Sequence, residues 1–431
     1  MKMTFWMSAT AIAAKLDRLR AAETRLLELA HRFGRNRAKI EVVDTFIPRN
    51  LIPLVSHDHD LVKLGNDDDS FVIHSVKVTS EQDKTEEVNA PLVLLHGYMN
   101  GAAYFYRNLV GLSSAFDTVH SIDLLGWGLS SRPRFELKQI EEEASHQSDT
   151  FMVRQAEHFF VESLEAWRHS QGIPKMVLAG HSMGGYISVA YAERYPERVE
   201  KLVLISPAGV PAEESPERQK RLDEARKRSL FFRFVVGTWS TLYSWNSTIG
   251  SLLRMLPEER AYGSALGYVQ RRLPAISDEE EQKAVTDYLV LNNLLPGSGE
   301  YCVGAFLTQF LQGREPTELR IPRLKVPSVS FLYGAQDWMD IHGALRVEAH
   351  CGDEKDVAVY RVSNAGHLLM LENWQEFNNG LIHATGRKMN GIGSLPERVT
   401  PSDVHFRDAA RIMSAWKNGV SEISSESLEA S

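Results

Sequence analysis

The stretch KMVLAGHSMGGY, residues 175–186, decides which fold this chain adopts. Residues 175–179 form a short apolar run that is typical of a buried strand, and a helical pattern begins near Tyr186. Between the two lies Gly180-His181-Ser182-Met183-Gly184, a G-x-S-x-G pattern. A turn this tight leaves room only for small residues around the serine, which explains the glycines. The pattern therefore predicts a nucleophile elbow, in which the Ser182 hydroxyl stands clear of the sheet.

Strand-like and helix-like patterns alternate on both sides of this stretch. The predicted strands are Phe71–Thr79, Pro91–Leu95, Val119–Leu125, Lys175–Ala179, Lys201–Ile205, Ser328–Tyr333 and Val357–Val362. The predicted helices between them include Phe151–Trp167 and Tyr186–Tyr195. Short apolar strands separated by helices indicate an α/β fold, with a mostly parallel central sheet and helices on both of its faces.

The alternation stops in the middle of the chain, where charged and then aromatic residues cluster. We interpret this segment, residues 210–327, as a helical cap inserted into the core. The core would then have a first part at 40–209 and a second part at 328–390. An amphipathic helix region, residues 1–39, precedes the core. A polar tail at 391–431 follows it and ends in a Ser/Glu-rich run that we expect to be frayed.

The composition excludes several classes of protein. Apolar residues make up 43% of the chain and charged residues 24%, as in a globular protein that can bury a core. The formal net charge of −8 argues against nucleic acid as the main partner. Two cysteines cannot form a disulfide framework or a four-cysteine zinc site. No stretch has the roughly 18 consecutive apolar residues of a membrane-spanning helix.

The sequence predicts no metal and no cofactor. His57, Asp58, His59 and Asp60 are residue types that bind metals, but a solvated loop is the better interpretation. The glycines of LLGWG, residues 124–128, lack the spacing of a dinucleotide-binding fingerprint, and the chain has no G-x-x-x-x-G-K-[ST] motif.

A basic amphipathic helix is predicted near the N-terminus, at about residues 13–33, because apolar residues recur there every three or four positions. Residues 1–39 carry nine Lys or Arg against three Asp or Glu. Such a helix, with Phe5 and Trp6 ahead of it, can lie on an anionic membrane surface. It can equally dock on the core with its charged face in water. Both interpretations stay open on the sequence.

A serine hydroxyl needs a base to take its proton and an acid to orient that base. In folds built around this elbow, the order along the chain is Ser, then Asp or Glu, then His. The strand that ends at Tyr333 is followed by Asp337 and Asp340, and the strand that ends at Val362 is followed by His367. Open α/β sheets place their sites at the carboxyl ends of the strands, so His367 is the predicted base. Asp337 is preferred over Asp340 as the acid because it lies nearer the strand end.

Two backbone N–H groups must face the oxyanion that forms during acyl transfer. The Met183 amide, next after the nucleophile, is one predicted donor. The other should come from the loop LLHGYMNG, residues 94–101, which makes the Tyr98 amide the candidate. His96 and Gly97 are expected to shape that loop.

Six blocks together resemble the α/β-hydrolase-domain 4/5 subfamily. They are LVLLHGYMNGAAYFYRN, DLLGWGLSSRPRF, SLEAWRHSQGIPKMVLAGHSMGGY, YPERVEKLVLISPAG, YGAQDWMD and GHLLMLENWQEFN. The group includes the lipase coactivator of lipid droplets, N-acyl-phospholipid lipases, plant lysophosphatidate acyltransferases and fungal mitochondrial cardiolipin deacylases. The resemblance extends from about Leu16 to Phe377. It implies an α/β-hydrolase fold, with Ser182 as nucleophile, Asp337 as acid and His367 as base.

The chain departs from the family at one position. The family carries an H-x4-D motif linked to acyl transfer, whereas here His367 and four further residues are followed by Glu372. The carboxylate is kept with one more methylene, which leaves acyl transfer open. The coactivator branch lacks the nucleophilic serine, which this chain has, so a purely non-catalytic role is disfavoured.

The leading hypothesis is a serine phospholipase or deacylase that releases fatty acid from a phospholipid or lysophospholipid. An acyltransferase that uses acyl-CoA and lysophosphatidate is the second, and a non-catalytic lipid-surface adaptor is the third. The aromatic segment 231–243 could wall an acyl chain, and most of its aromatic residues could instead pack the cap onto the core. We expect an intracellular protein in peripheral contact with a membrane or lipid droplet; the choice between mitochondrion and cytoplasm stays open.

Overall fold

The structure is a computed structural model, and it describes residues 8–52, 55–62, 69–81, 89–135, 145–213, 248–308, 311–388 and 393–403, with backbone alone for 55–62 and 145–149. Its strands are β1 (Ala38–Pro48), β2 (Val55–Val62), β3 (Ser70–Ser80), β4 (Leu92–Leu95), β5 (Thr118–Ile122), β6 (Arg132–Phe135), β7 (Met176–His181), β8 (Val199–Ile205), β9 (Ser328–Gly334), β10 (Asp356–Val362) and β11 (Glu397–Val399).

Nine of these strands form one sheet, in the order β1-β3-β5-β4-β7-β8-β9-β10-β11. The neighbours from β5 to β10 are parallel, while β1, β3 and β11 join by antiparallel pairing. β2 and β6 pair separately. The predicted α/β architecture with a mostly parallel sheet is confirmed. The strand β7, which leads to Ser182, lies in the middle, and all six of its residues are buried, which is why its sequence begins with a run of apolar residues.

Helices cover both faces of the sheet. They are α1 (Ala9–Ala30), α2 (Tyr106–Leu112), α3 (Ser145–Ser170), α4 (Met183–Arg194), α5 (Ile249–Arg254), α6 (Glu258–Arg272), α7 (Glu279–Leu294), α8 (Glu300–Phe306), α9 (His342–Cys351), α10 (Leu369–Glu372) and α11 (Trp374–Ala384). Successive residues of β7 point to opposite faces of the sheet and so belong to two different buried clusters. Met176 and Leu178 pack with α3, α4 and α9, whereas Val177 and Ala179 pack with α1, α2 and α11.

The helices α5 to α8 all lie within the segment 210–327 that the sequence assigns to a cap. The expected aromatic wall at 231–243 lies outside the described residues and stays a prediction. The five domain boundaries are likewise predictions, because the described residues leave gaps around several of them.

Helix α1 is docked on the core and the cap. Its apolar face, which includes Leu16, Leu19 and Leu26, is buried. Its basic side chains form ion pairs with carboxylates of the segment 210–327: Lys15–Glu258 at 2.6 Å, Arg18–Glu258 at 2.6 Å and Arg25–Asp287 at 3.1 Å. Just after the helix, Arg32 pairs with Asp278 at 3.1 Å and with Glu280 at 3.0 Å. For residues 9–30, therefore, docking on the protein is the observed arrangement; Phe5 and Trp6 lie outside the described residues. In the described ranges, no helix combines the length and apolar character that a bilayer crossing requires.

The structure adds two strands that the sequence did not predict, and one expectation of local structure is wrong. Strand β1 was not predicted, although it pairs with β3 along its full length. Within the polar tail, Glu397–Val399 pairs with β10 as an edge strand, while the Ser/Glu-rich end that is predicted to be frayed lies outside the described residues. Residues 57–60 belong to strand β2 rather than to a solvated loop, and the backbone of β2 pairs with β6.

Candidate active site

The turn between β7 and α4 has the geometry that the sequence predicts for an elbow. Ser182 has φ +53° and ψ −114°, in the left-handed half of backbone space. A Cβ at Gly180 would lie 2.2 Å from the Gly184 carbonyl oxygen, and one at Gly184 would lie 2.6 Å from the Leu95 carbonyl oxygen. Both positions therefore require glycine, because the elbow presses against its own helix and against the end of β4.

The structure brings Ser182, His367 and Asp337 together, although the first and the last of them in sequence order, Ser182 and His367, are 185 positions apart. His367 Nε2 lies 3.1 Å from Ser182 Oγ, and His367 Nδ1 lies 3.2 Å from Asp337 Oδ1. Both are hydrogen-bond distances. The three residues come from the carboxyl ends of β7, β9 and β10, which the parallel sheet places at one edge.

The acid position is occupied by Asp337 and not by Asp340. Asp337 Oδ1 also accepts the Met339 amide at 3.0 Å, and its Oδ2 accepts the Ser206 hydroxyl. Asp340 Oδ1 instead lies 2.6 Å from Nδ1 of His342. Burial by itself would raise the pKa of Asp337, but the hydrogen bond and attraction to His367, with the other two donors, hold that pKa below its ordinary value. The carboxylate is therefore ionised at neutral pH.

The loop that carries His367 passes directly over the end of β9. A Cβ at Gly334 would lie 2.1 Å from the Gly366 carbonyl oxygen, so only glycine permits this approach. The Gln336 amide donates to the Ala365 carbonyl at 2.8 Å, and this bond joins the loop that carries Asp337 to the loop that carries His367.

His181, the residue before Ser182 in the G-x-S-x-G pattern, also holds the loop that carries His367. Its Nε2 donates to the His367 carbonyl oxygen at 2.9 Å. Burial lowers the pKa of His181 to about 3, so the ring is neutral and the proton on Nε2 is the one it donates.

The two predicted oxyanion donors, the amides of Tyr98 and Met183, lie on the loop that follows β4 and at the start of α4. In the part of the chain that the structure describes, the amides of Tyr98 and Met183 donate to no protein acceptor. A Cβ at Gly97 would lie 3.1 Å from Cβ of Ser182, which places the Tyr98 loop against the nucleophile. The Met183 amide is also at the N-terminus of α4, where the helix dipole favours negative charge.

His96 shapes this loop as a neutral side chain. Its Nε2 accepts the Leu124 amide at 3.1 Å, and its Nδ1 donates to the Gly97 carbonyl oxygen at 2.8 Å. Burial lowers the pKa of His96 to about 4, which agrees with one ring nitrogen accepting.

Two side chains of the cap hold the other half of the loop. Asn293 Nδ2 donates to the Met99 carbonyl at 2.8 Å, and Asn292 Nδ2 donates to the Asn100 carbonyl at 2.9 Å. Met99 has φ +64°, a conformation that a non-glycine residue keeps only where its surroundings hold it. The last turn of α7 is thus bonded directly to the loop that carries the Tyr98 amide.

Glu372 lies close to the base in space as well as in sequence. Its Oε2 accepts the Gly366 amide at 2.8 Å, and its Oε1 accepts the Leu368 amide at 3.1 Å. The carboxylate therefore bonds to the backbone on both sides of His367.

An exposed aromatic ring borders the site. Trp338 is 48% exposed, and its ring centroid lies 4.9 Å from that of His367. The site thus has an apolar surface at its solvent side, next to the imidazole.

The described residues contain one group whose side chains could together ligate a metal ion, namely Glu23, His74 and Asp123. Its members already bond to protein groups. His74 bonds to Glu23 and Asp44, and Asp123 accepts the amides of Ala102 and Leu129. None of the three belongs to the Ser182–His367–Asp337 set.

Sequence reasoning missed the supporting residues. Ser206, His181, Asn292 and Asn293 contact the site residues or their loops, yet none was singled out for that role. Ser206 follows β8 just as Asp337 follows β9, so its position at a strand end was a usable signal. The two asparagines had none, because their contacts join segments about 190 residues apart.

This arrangement can move a proton and stabilise an anion. The imidazole lies within reach of the serine hydroxyl, and its other nitrogen faces an ionised carboxylate, so it can accept the serine proton and remain oriented while charged. Two backbone amides without protein acceptors lie beside the same serine and can donate to an oxyanion.

Comparison with known proteins identifies the family of this chain. Residues 90–373 match the family described as alpha/beta hydrolase fold. The chain is 30% identical to "Probable 1-acylglycerol-3-phosphate O-acyltransferase" of Oryza sativa subsp. japonica, over 78% of this chain and 76% of that protein. It is 31% identical to the "(Lyso)-N-acylphosphatidylethanolamine lipase" of Mus musculus, over 71% of this chain and 81% of that protein.

Among solved structures, carboxylesterase CesB (YbfK) from Bacillus subtilis is similar at a TM-score of 0.50 and 18% identity, covering 86% of this chain and 98% of that one. This likeness concerns the fold alone. The resemblance drawn from the sequence is confirmed by the family match and by the two relatives. The chain belongs to the alpha/beta hydrolase fold family and, within it, to the α/β-hydrolase-domain 4/5 subfamily.

Proposed function

We propose that this protein is a serine acyl hydrolase that releases fatty acid from phospholipids or lysophospholipids. The observation that carries the proposal is the hydrogen-bonded series from Ser182 Oγ through the His367 ring to Asp337, at 3.1 and 3.2 Å. Family membership supports hydrolysis, and the lipase named above supports a phospholipid as the substrate class. The exposed Trp338 ring beside His367 supports an apolar substrate.

The reaction follows from the roles of these groups. Ser182 Oγ attacks the ester carbonyl carbon while His367 takes its proton, and the oxyanion accepts from the amides of Tyr98 and Met183. His367 then gives that proton to the leaving oxygen, which leaves an acyl-enzyme. Water attacks the acyl-enzyme with His367 again as base, so that the fatty acid departs and the serine is restored. Asp337 stays ionised throughout and holds the imidazole in place.

Replacement of the nucleophile tests the proposal. Ser182→Ala should reduce fatty-acid release from phospholipid vesicles by at least about 10⁴-fold, because the residual rate comes from binding and the oxyanion donors alone. Ser170→Ala is the matched control, because Ser170 is an exposed residue at the end of α3. Retained release in Ser182→Ala would refute the mechanism and leave the adaptor interpretation.

Acyl transfer to a lysophospholipid is the second candidate, and the name of the rice relative favours it. It would use the same acyl-enzyme, with a lysophosphatidate hydroxyl in place of water and acyl-CoA as donor. Labelled acyl-CoA with lysophosphatidate decides between them, since a labelled diacyl product requires transfer. Absence of that product, with fatty-acid release retained, means hydrolysis only.

We also propose that the protein is intracellular and contacts a membrane or droplet surface peripherally, because its substrate class resides in such surfaces. The apolar face of α1 is buried, so the contact is expected from exposed apolar residues such as Trp338, Ile249 and Met255. Binding to anionic vesicles should then change little with salt; strong weakening by salt would assign the contact to basic side chains instead. Cardiolipin as substrate and a mitochondrial location rest on the family resemblance alone.

A further inference from the structure

The Glu372 carboxylate bonds to the backbone on both sides of His367, the proposed catalytic base. It ends the short helix α10, and its two carboxylate oxygens accept the amides of Gly366 and Leu368, at 2.8 and 3.1 Å. These amides belong to the residues immediately before and after His367. A single rigid carboxylate therefore fixes the direction of the backbone at both ends of the residue that carries the imidazole.

The imidazole has little freedom to tolerate a shift of that backbone. It must keep Nε2 at 3.1 Å from Ser182 Oγ and Nδ1 at 3.2 Å from Asp337 Oδ1 at the same time. The His181 ring donates to the His367 carbonyl oxygen at 2.9 Å. Glu372 therefore holds the N–H groups of Gly366 and Leu368, and His181 holds the carbonyl group of His367. A displacement of about 1 Å at such a site can reduce the rate about 10²-fold.

A backbone N–H group can only donate a hydrogen bond, so the N–H groups on the two sides of His367 are best matched by a side chain with two acceptor oxygens. A carboxylate does so, whereas a carboxamide would turn its NH₂ toward one of the amides. An aspartate would be shorter by one carbon–carbon bond, about 1.5 Å, and so could not hold both amides from the same backbone position.

We propose that Glu372 is a positioning residue for His367, and that the H-x4-E spacing of this chain serves alignment of the base rather than transfer of an acyl group. The proposal rests on the proposed function for the role of His367. No bond to carbon forms or breaks at Glu372, and it acts only through the two backbone amides.

The test compares three variants in the full-length protein. Glu372→Gln removes one of the two acceptors, Glu372→Asp keeps the charge and restores the spacing of the family motif, and Glu376→Gln is the matched control. Glu376 is buried and also accepts a backbone amide, that of Ser363 at 2.9 Å, but it does not bond beside the base.

The first measurement is the rate at which a fluorophosphonate labels Ser182, which depends on base alignment and needs no lipid substrate. Glu372→Gln should label about 10²-fold more slowly, Glu372→Asp should fall between it and the wild type, and Glu376→Gln should label at the wild-type rate. In parallel, the downfield proton resonance of the His367–Asp337 hydrogen bond should broaden in Glu372→Gln and remain in Glu376→Gln. With a lipid ester, kcat should fall while KM stays within about twofold.

Two results would overturn the proposal. One is a Glu372→Gln variant with the labelling rate and proton resonance of Glu376→Gln. The other is a Glu372→Asp variant that gains labelled diacyl product from acyl-CoA and lysophosphatidate, which would give the motif a part in acyl transfer. If Glu372→Gln does not fold, Glu372→Asp carries the same labelling test. Failure of the proposed lipid hydrolysis would leave the labelling and resonance results intact, so the two failures can be told apart.

Discussion

Several residues around the site have backbone conformations that are unfavourable for their side chains. Met99, Ser182, Ser206 and Asn364 all have positive φ without being glycine. Such a residue costs about 1–3 kcal/mol and persists only where the surroundings over-determine it. At Ser182 the cause is visible, because β7, α4 and the end of β4 leave the turn no other path. Strain at this position is what directs the hydroxyl toward His367.

The choice between the two aspartates is a prediction at the scale of single residues. Asp337→Asn should lower kcat about 10⁴-fold, because an amide that donates to Nδ1 stabilises the wrong tautomer of His367. Asp340→Asn should lower it by less than about tenfold per folded molecule, since Asp340 bonds to His342 instead. Rates with a soluble ester, normalised to the folded fraction, check both. A larger loss in Asp340→Asn than in Asp337→Asn would contradict the assignment.

At the scale of elements, the buried parallel strands were the most predictable and the edges the least. The strands β4, β7 and β9 are buried along their whole length, and β8 is buried over its last four residues, because both faces of these strands are covered; their sequences are accordingly rich in apolar residues. Strand β1 lies at the edge of the sheet, where its residues alternate between exposed and half-buried, and charged residues interrupt the pattern. Hydrogen bonding to β3 holds this segment as a strand, although its own sequence pattern does not predict one.

The contact between α7 and the oxyanion loop gives a prediction for an element. Asn293→Ala removes the donor to the Met99 carbonyl, so the loop that carries the Tyr98 amide loses one of its supports. We expect kcat to fall about tenfold, less than the 10²–10³-fold loss that follows removal of an oxyanion donor itself. KM should change little, because the contact is made by the backbone of the loop and not by substrate.

The matched control for this element is Gln282→Ala. Gln282 is on the same helix and donates to the Ile276 carbonyl at 2.7 Å, away from the oxyanion loop. Equal losses of activity in the two variants would mean that α7 acts only through overall stability. Steady-state kinetics and a thermal unfolding curve for each variant provide the comparison.

At the scale of the whole molecule, α1 connects the cap to the core. One of its faces pairs with carboxylates of the cap, and Glu23, on the opposite side, is buried against the sheet. There Glu23 Oε2 lies 3.0 Å from Nε2 of His74 in β3, and Nδ1 of His74 lies 2.6 Å from Asp44 Oδ1 in β1. Burial by itself would lower the pKa of His74, but attraction to Glu23 and the hydrogen bonds to both carboxylates raise it well above its ordinary value.

This buried ion pair makes the stability of the molecule depend on pH. A His with a raised pKa in the folded state stabilises the protein fully below its unfolded pKa of about 6.5, and this contribution is lost as the pH rises through the folded pKa. His74→Gln should therefore lower the free energy of unfolding by about 3 kcal/mol at pH 6, because it leaves Glu23 buried without a counter-charge. The difference from wild type should shrink at alkaline pH.

Denaturant unfolding at a series of pH values measures this dependence, with two variants as controls. In Glu23→Gln/His74→Gln the loss should be smaller than the sum of the single losses, as expected for directly coupled residues. His350→Gln, at the end of α9, should change the free energy of unfolding at pH 6 far less than His74→Gln does, because His350 is exposed. Burial raises the pKa of nearby Asp123 to about 6, and the charges of His74 and Glu23 also act on that pKa, so Asp123 contributes to the pH dependence in each variant. A loss in His74→Gln that does not change between pH 6 and pH 10 would mean that His74 is neutral in the folded protein.

The sequence by itself determined the class of fold, and it predicted the candidate nucleophile and the order of the candidate site residues. It could do so because these depend on short-range features: an apolar run, a turn that admits only glycine, and polar residues next to strand ends. The choice of Asp337 over Asp340 was also made on sequence distance, and the structure places Asp337 beside His367.

Only the tertiary structure decided which groups support those residues. The contacts of Glu372, His181 and Asn293 involve backbone amides or carbonyls, and every residue has these, so no residue type marks where they will be needed. The docking of α1 likewise depends on acidic side chains 240 residues or more away. A helix with one apolar and one basic face fits a membrane or a protein equally well in sequence, and the charges opposite it decide between the two.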